Sequence, residues 1–194
     1  LQFAKQYNDF YTTNPAPLVL DCGSNIGVSV IRYKQLYPQA KIIAFEPDPT
    51  IFNVLENNIR LNNLQGVEAV RAAIWTSSGT QTFMAFDNQN SQAGHISLDQ
   101  ATNEPLSSSN SIEVKTVWLG EYLQSHVDFL KLDIEGAELE VLESCTNLLS
   151  NVDQMMVEVH YRVNRADFLI RILEILHASD FKIAIYQYAQ SPNS

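Results

Sequence analysis

The ten residues from Leu18 to Gly27 constrain the fold more than any other stretch of the chain. Leu18-Val19-Leu20-Asp21-Cys22 is a short aliphatic run that reads as a strand, and Gly23-Ser24-Asn25-Ile26-Gly27 turns it straight into a helical pattern over Ile26–Leu36 that ends before Pro38. A second strand, Lys41–Glu46, follows at once. The alternation continues: Val67–Ile74, Val127–Asp133, Met155–His160 and Phe181–Tyr186 read as strands. Helices are predicted over Thr50–Leu61 after Pro49, over Ala137–Leu149 with Val141, Leu142, Cys145 and Leu149 on one face, and over Asp167–Ala178 with Leu169, Ile172, Leu173 and Leu176 on one face. Such a series predicts an α/β fold, a doubly wound and mostly parallel sheet covered by helices on both faces.

At 194 residues the chain is expected to form one domain over 1–194. One segment interrupts the rhythm: 87–111 is rich in Asn, Gln, Ser and Asp, holds Pro105, and lies between the strand-like Thr80–Phe86 and Ile112–Val117. It reads as a polar loop insertion, either a disordered excursion or a flap over a substrate. The 22 acidic against 12 basic side chains give a net charge of −10, which repels phosphate backbones and argues against nucleic acid as a partner. No apolar run approaches the roughly 20 residues of a membrane span. Two cysteines, Cys22 and Cys145, form neither a disulfide framework nor a zinc spacing, which suits a cytoplasmic protein. The chain opens on Leu1 with no leader pattern, as a domain taken from a longer polypeptide would.

The glycine loop is a nucleotide-type site. Gly23 is expected to permit the sharp turn and a close approach to a ligand, and Gly27 to let the helix pack on the strand. Phe45-Glu46-Pro47-Asp48 ends the second strand with a carboxylate where a ribose diol would lie. A dinucleotide needs G-x-G-x-x-G, so that bare amides can receive a pyrophosphate, whereas this chain has G-x-x-x-G with Asp21 two residues ahead. A carboxylate there opposes phosphate but tolerates a cation. S-adenosylmethionine, which has no phosphate and carries an ammonium and a sulfonium, fits those residues better.

A second constellation lies in Asp128-Phe129-Leu130-Lys131-Leu132-Asp133-Ile134-Glu135-Gly136-Ala137-Glu138, where a strand expected to be buried contains a lysine. Phe129, Lys131 and Asp133 share one face by alternation, as do Glu158 and His160 on the later strand. Were the two strands neighbours, Lys131 would meet Glu158 within the sheet, and Asp133 and His160 would emerge at its carboxyl edge, where ligands of open α/β sheets bind. Asp133, Glu135 and His160 are therefore the candidate catalytic residues. Glu138 and Glu140 read as solvated helix positions, and His95, His126 and His177 have no partner pattern.

Leu20 to Gly27, Ala44-Phe45-Glu46-Pro47 and above all Phe129 to Glu138 resemble the FkbM-type methyltransferases, a class I, Rossmann-like family, and Glu158-Val159-His160 resembles the family's following strand. The resemblance implies S-adenosyl-L-methionine as methyl donor and a hydroxyl acceptor on a small molecule, a saccharide or a carrier-bound natural product. It implies contacts from Asp21, Gly23 and Gly27 to the methionine end of the donor and from Glu46 to its ribose. Ser24, Asn25, Pro47, Ala73 and Asp133 complete the candidate cofactor-binding set. The third strand ends Arg71-Ala72-Ala73-Ile74 without the acid that many class I enzymes turn toward adenine, and no seventh, antiparallel strand is predicted after Tyr186. His160 is the expected general base or hydroxyl-positioning group, with Asp133 orienting it or helping to bind a divalent cation. The competing readings are an NAD-dependent oxidoreductase, against which the missing glycine argues, and a cofactor-binding domain without chemistry.

Overall fold

A computed structural model of the chain describes residues 10–84, 95–96, 111–160 and 167–186. The first half forms β1 (Leu18–Cys22), α1 (Val28–Leu36), β2 (Lys41–Phe45), α2 (Pro49–Leu61) and β3 (Val67–Val70). The second adds β4 (Ala73–Trp75), β5 (Gly79–Met84), β6 (His95–Ile96), β7 (Ser111–Trp118), β8 (Val127–Leu132), α3 (Glu138–Ser144), β9 (Val152–Val157) and α4 (Phe168–Ala178). Five parallel strands make the central sheet in the order β3-β2-β1-β8-β9. The strand order reverses between β1 and β8. Above their carboxyl ends an open α/β sheet leaves its crevice, so topology alone locates the region to inspect.

The sheet's register follows from burial. Val19, Leu20 and Cys22 of β1 and Leu130 and Leu132 of β8 are 0% exposed, as expected of central parallel strands covered on both faces. On one face they pack with Val141, Leu142, Cys145 and Leu149, and on the other Val19 and Phe129 pack with Tyr33, Phe52 and Leu55. Helix α2 begins where Asp48 accepts from the backbone N–H groups of Thr50 and Ile51, with Pro49 in the first turn where its missing N–H costs nothing. Both cysteines are free, buried thiols in one core cluster.

The structure differs from the sequence pattern at several points. The run Val67–Ile74 is two strands, since the chain leaves the central sheet after Val70 and β4 joins a second sheet of order β4-β7-β5-β6. There β4 runs parallel to β7, while β5 is antiparallel to both β7 and β6. Most of the polar insertion at 87–111 lies outside the described residues. The helix predicted to reach Leu149 stops at Ser144 and continues as a 3₁₀ turn, Thr146–Asn151. Ser144 turns its hydroxyl back onto the Val141 carbonyl, the competition with helical hydrogen bonding that such residues offer, yet all four predicted core positions stay buried. On α4 the buried residues are Phe168 and Ile172, whereas Leu169 is 38% exposed. Phe181–Tyr186 forms no strand: among the described residues nothing pairs with it, and Ile185 and Tyr186 are exposed. Alternating apolar residues make a strand only where a neighbouring strand takes up the backbone groups. No helix among the described residues is long and apolar enough to cross a membrane.

Candidate active site

Three loops meet above the carboxyl ends of β1, β2 and β8. The first is Gly23–Gly27. Gly23, at φ 81°, and Ser24 both donate backbone N–H groups to the Phe45 carbonyl at 3.1 and 2.9 Å, and Ser24 Oγ donates to the Asp21 carbonyl at 2.8 Å. A Cβ on Gly23 would stand 1.8 Å from the carbonyl oxygen of Asp133, so this glycine allows β1 and β8 to release their chains side by side. Gly27, at φ 88°, does not pack α1 on the strand as expected. The space that its missing Cβ leaves is filled by Leu55 of α2, 2.7 Å away.

Glu46 ends the second strand beside this loop. Its Oε2 accepts from Asn25 N at 3.0 Å and its Oε1 from Asp48 N at 2.9 Å, so each oxygen keeps a further acceptor position. Burial pushes its carboxyl up to about 7 against the help of those two N–H groups. Pro47 is half-buried next to it, and Asn25 is exposed. Ala73 begins β4 and packs in a buried cluster with Trp75 and Ala137.

The third region is organised by a buried ammonium. Lys131 is 1% exposed, and its Nζ donates to the Gly23 carbonyl at 2.9 Å and lies 3.0 Å from Asp133 Oδ2 and 3.5 Å from Asp21 Oδ1. Asp21 is wholly buried beneath the loop, where it also accepts from the Ser29 hydroxyl. β8 and β9 are neighbours as the pattern required, the register sets Lys131 opposite Met156, and the ammonium sits between the carboxylates of Asp21 and Asp133. Strand β9 ends at Val157. Glu158 and His160 therefore stand above the sheet, Glu158 held by one further bond from its N–H to the Leu132 carbonyl.

His160 gathers the carboxylates. Its Nδ1 faces Glu138 Oε1 at 3.0 Å, and its Nε2 faces Glu135 Oε2 at 3.2 Å and Asp133 Oδ1 at 3.9 Å. Burial works against the charged ring, but the hydrogen bond to Glu138 and the charges of Glu135, Glu138 and Asp133 outweigh it and hold the imidazole up at about 9. Glu135 adopts φ 57°, a left-handed conformation uncommon outside glycine, and burial raises its carboxyl. Glu138 is a correction to the sequence reading. It is 0% exposed, and its Oε1 also accepts from the backbone N–H groups of Ile134 and Gly136, which fixes the turn that carries Glu135. His126 is also partnered, with Nε2 3.0 Å from Asp153, at the opposite end of β8. Asp133, Glu135 and His160 are thus brought together, with Glu138 and Glu158 added to them.

A model of the methyltransferase FkbM domain matches residues 21–183. The chain is 31% identical over 154 residues to methyltransferase sdnD of Sordaria araneosa, covering 66% of this chain and 60% of that protein. It is 32% identical over 152 residues to hexuronic acid methyltransferase AglP of Haloferax volcanii, covering 76% and 57% respectively. It thus spans about three-fifths of the length of these curated relatives. Among solved structures it resembles methyltransferase FkbM from Methylobacillus flagellatus, with a TM-score of 0.63, 15% identity, and coverage of 90% of this chain and 41% of the other.

Proposed function

The chain belongs to the FkbM methyltransferase family, with a class I, Rossmann-like fold, and from that premise we propose that it transfers a methyl group from S-adenosylmethionine to a hydroxyl oxygen of a small molecule, a saccharide or a carrier-bound intermediate. The observation that carries the reading is Glu46. Its carboxylate is held by two backbone N–H groups at the edge of the Gly23–Gly27 loop and keeps one acceptor position on each oxygen, the complement of a ribose diol. Asn25 and Gly23 line the same edge, while Asp21 and Lys131 act from below, fixing the Gly23 carbonyl. When bound, S-adenosylmethionine supplies the methyl group on its sulfonium.

The acceptor reading rests on the other side of the crevice. An alcohol attacking in line must be held close and must give up its proton. With Nδ1 of His160 committed to Glu138, the Glu135–His160 pair remains partly exposed, and Glu135, whose side chain is 34% exposed, is the member to take the proton while the ring holds it in position. The methylated oxygen leaves as an ether, the donor as a thioether, and the proton on this pair. AglP acts by name on a hexuronic acid, whose nucleophiles are oxygens, and that supports an oxygen acceptor. The net charge of −10 is unfavourable to nucleic acid as the acceptor.

Glu46 provides the test. Two diol donors stabilise its charged form, so S-adenosylhomocysteine should bind more weakly as pH falls below about 7, approaching tenfold per unit in a calorimetric titration. The ligand-free protein should have the opposite linkage: a folded value raised from 4.5 to about 7 gives stability that is full below 4.5 and is lost as pH rises through about 7. Glu46→Gln should weaken binding by roughly 10- to 100-fold and flatten its pH profile. Equal affinity in Glu46→Gln with the profile unchanged would remove Glu46 from the donor site.

A further inference from the structure

We propose that Asp133, Glu158 and His160 bind a divalent metal ion, with Glu138 as the buried carboxylate that aims the histidine at it. A carboxylate oxygen of Asp133, one of Glu158 and a ring nitrogen of His160 lie within 4.8 Å of one another. Ligands about 2.1 Å from one ion stand roughly 3–4 Å apart, so a small inward movement closes the set. Asp133 and His160 are already oriented. Lys131 holds Oδ2 of Asp133 at 3.0 Å, which leaves Oδ1 turned toward the imidazole, 3.9 Å from Nε2.

The second observation is Glu138. It is 0% exposed, gives one carboxylate oxygen to His160 Nδ1 at 3.0 Å, and has its other oxygen buried without a hydrogen-bond partner among the described residues. A carboxylate on one imidazole nitrogen is the arrangement that fixes a metal-ligating histidine, because it sets the tautomer and leaves the other nitrogen for the ion, here Nε2, on which the ion would displace Glu135, 3.2 Å away. Among the described residues Asp21, Asp133, Glu135 and Glu138 lie against Lys131 and His160, and a divalent ion would add positive charge to this group.

Two carboxylates and one imidazole with open positions suit a first-row ion such as Mn²⁺ or Zn²⁺ better than Ca²⁺, which takes oxygen ligands alone. In the methyl-transfer reading the ion would hold the acceptor oxygen and ease the loss of its proton to Glu135, which Nε2 would then release, a role that rests on that reading, whereas the binding itself does not. A second group, His126, Asp128 and Asp153, has similar composition. There Asp128 is already taken up by the Asn14 side chain and Leu18 N, and His126 and Asp153 are exposed, so it serves as the control.

The test is titration of the chain with Mn²⁺ in the absence of any donor, following loss of the free-ion electron paramagnetic resonance signal. One ion per chain is expected, with affinity at least tenfold lower in Glu158→Gln and His160→Gln and unchanged in His126→Ala. Glu158 is only half-buried, so an unchanged metal-free unfolding temperature in Glu158→Gln assigns its loss to a missing ligand. No binding, or binding that survives Glu158→Gln and is lost in His126→Ala, overturns the site. Binding of Mn²⁺ here by a chain that takes no S-adenosyl ligand would uphold the site and overturn the donor reading.

Discussion

Gly23→Ala is expected to lower the unfolding temperature by roughly 10 °C, the largest loss from any single methyl group in the crevice. Two costs add. The residue sits at φ 81°, where a side chain is strained by about 1–3 kcal/mol, and its new Cβ would stand 1.8 Å from the Asp133 carbonyl oxygen. That neighbour is backbone at the end of a central strand, so the clash can be relieved only by parting β1 from β8, at a further cost of about 1–3 kcal/mol. A total near 4 kcal/mol corresponds to about 10 °C for a chain of this size. Gly27→Ala is the contrast. Its Cβ would meet the end of a side chain, Leu55 Cδ1 at 2.7 Å, so it should cost less than Gly23→Ala and be partly rescued by Leu55→Ala. Thermal unfolding followed by circular dichroism measures both, and equal losses at the two glycines would refute the distinction.

Lys131→Met should cost about 3–5 kcal/mol, a fall of the same size, because it keeps the volume and removes the charge between Asp21 and Asp133. Asp21 is wholly buried and would be left with an uncompensated carboxylate, and the Gly23 carbonyl would lose its donor at 2.9 Å. The penalty belongs largely to the stranded acid. Adding Asp21→Asn to Lys131→Met should therefore recover about 1–2 kcal/mol, a coupling expected of residues in contact. Strict additivity of the two substitutions would show that Lys131 acts through packing alone.

These two residues also mark how far the fold and the site can be read from sequence. The strand-turn-helix at Leu18–Gly27, the acid at Glu46 and the lysine inside β8 are local patterns, and each lies where its pattern required. What Gly27 packs against is not local, since Leu55 belongs to another helix. Nor is the fate of Glu138 local: an acid at a helix start usually faces water, and this one is buried because the turn after Asp133 folds two N–H groups and His160 onto it. The break after Val70 was hidden because the run Val67–Ile74 holds no glycine or proline to mark it. Phe181–Tyr186 has the alternation of a strand but no neighbour among the described residues, and alternation carries no information about neighbours.

The donor is the claim on which the rest of the functional account stands. It is tested most directly by comparing the unfolding temperature of the chain with S-adenosylhomocysteine and with NAD, each at the same concentration. A ligand at about 100 times its dissociation constant adds roughly 2.7 kcal/mol of stability, about 5–10 °C here. That shift is expected with S-adenosylhomocysteine and none with NAD. A shift with NAD and none with S-adenosylhomocysteine would contradict the donor assignment.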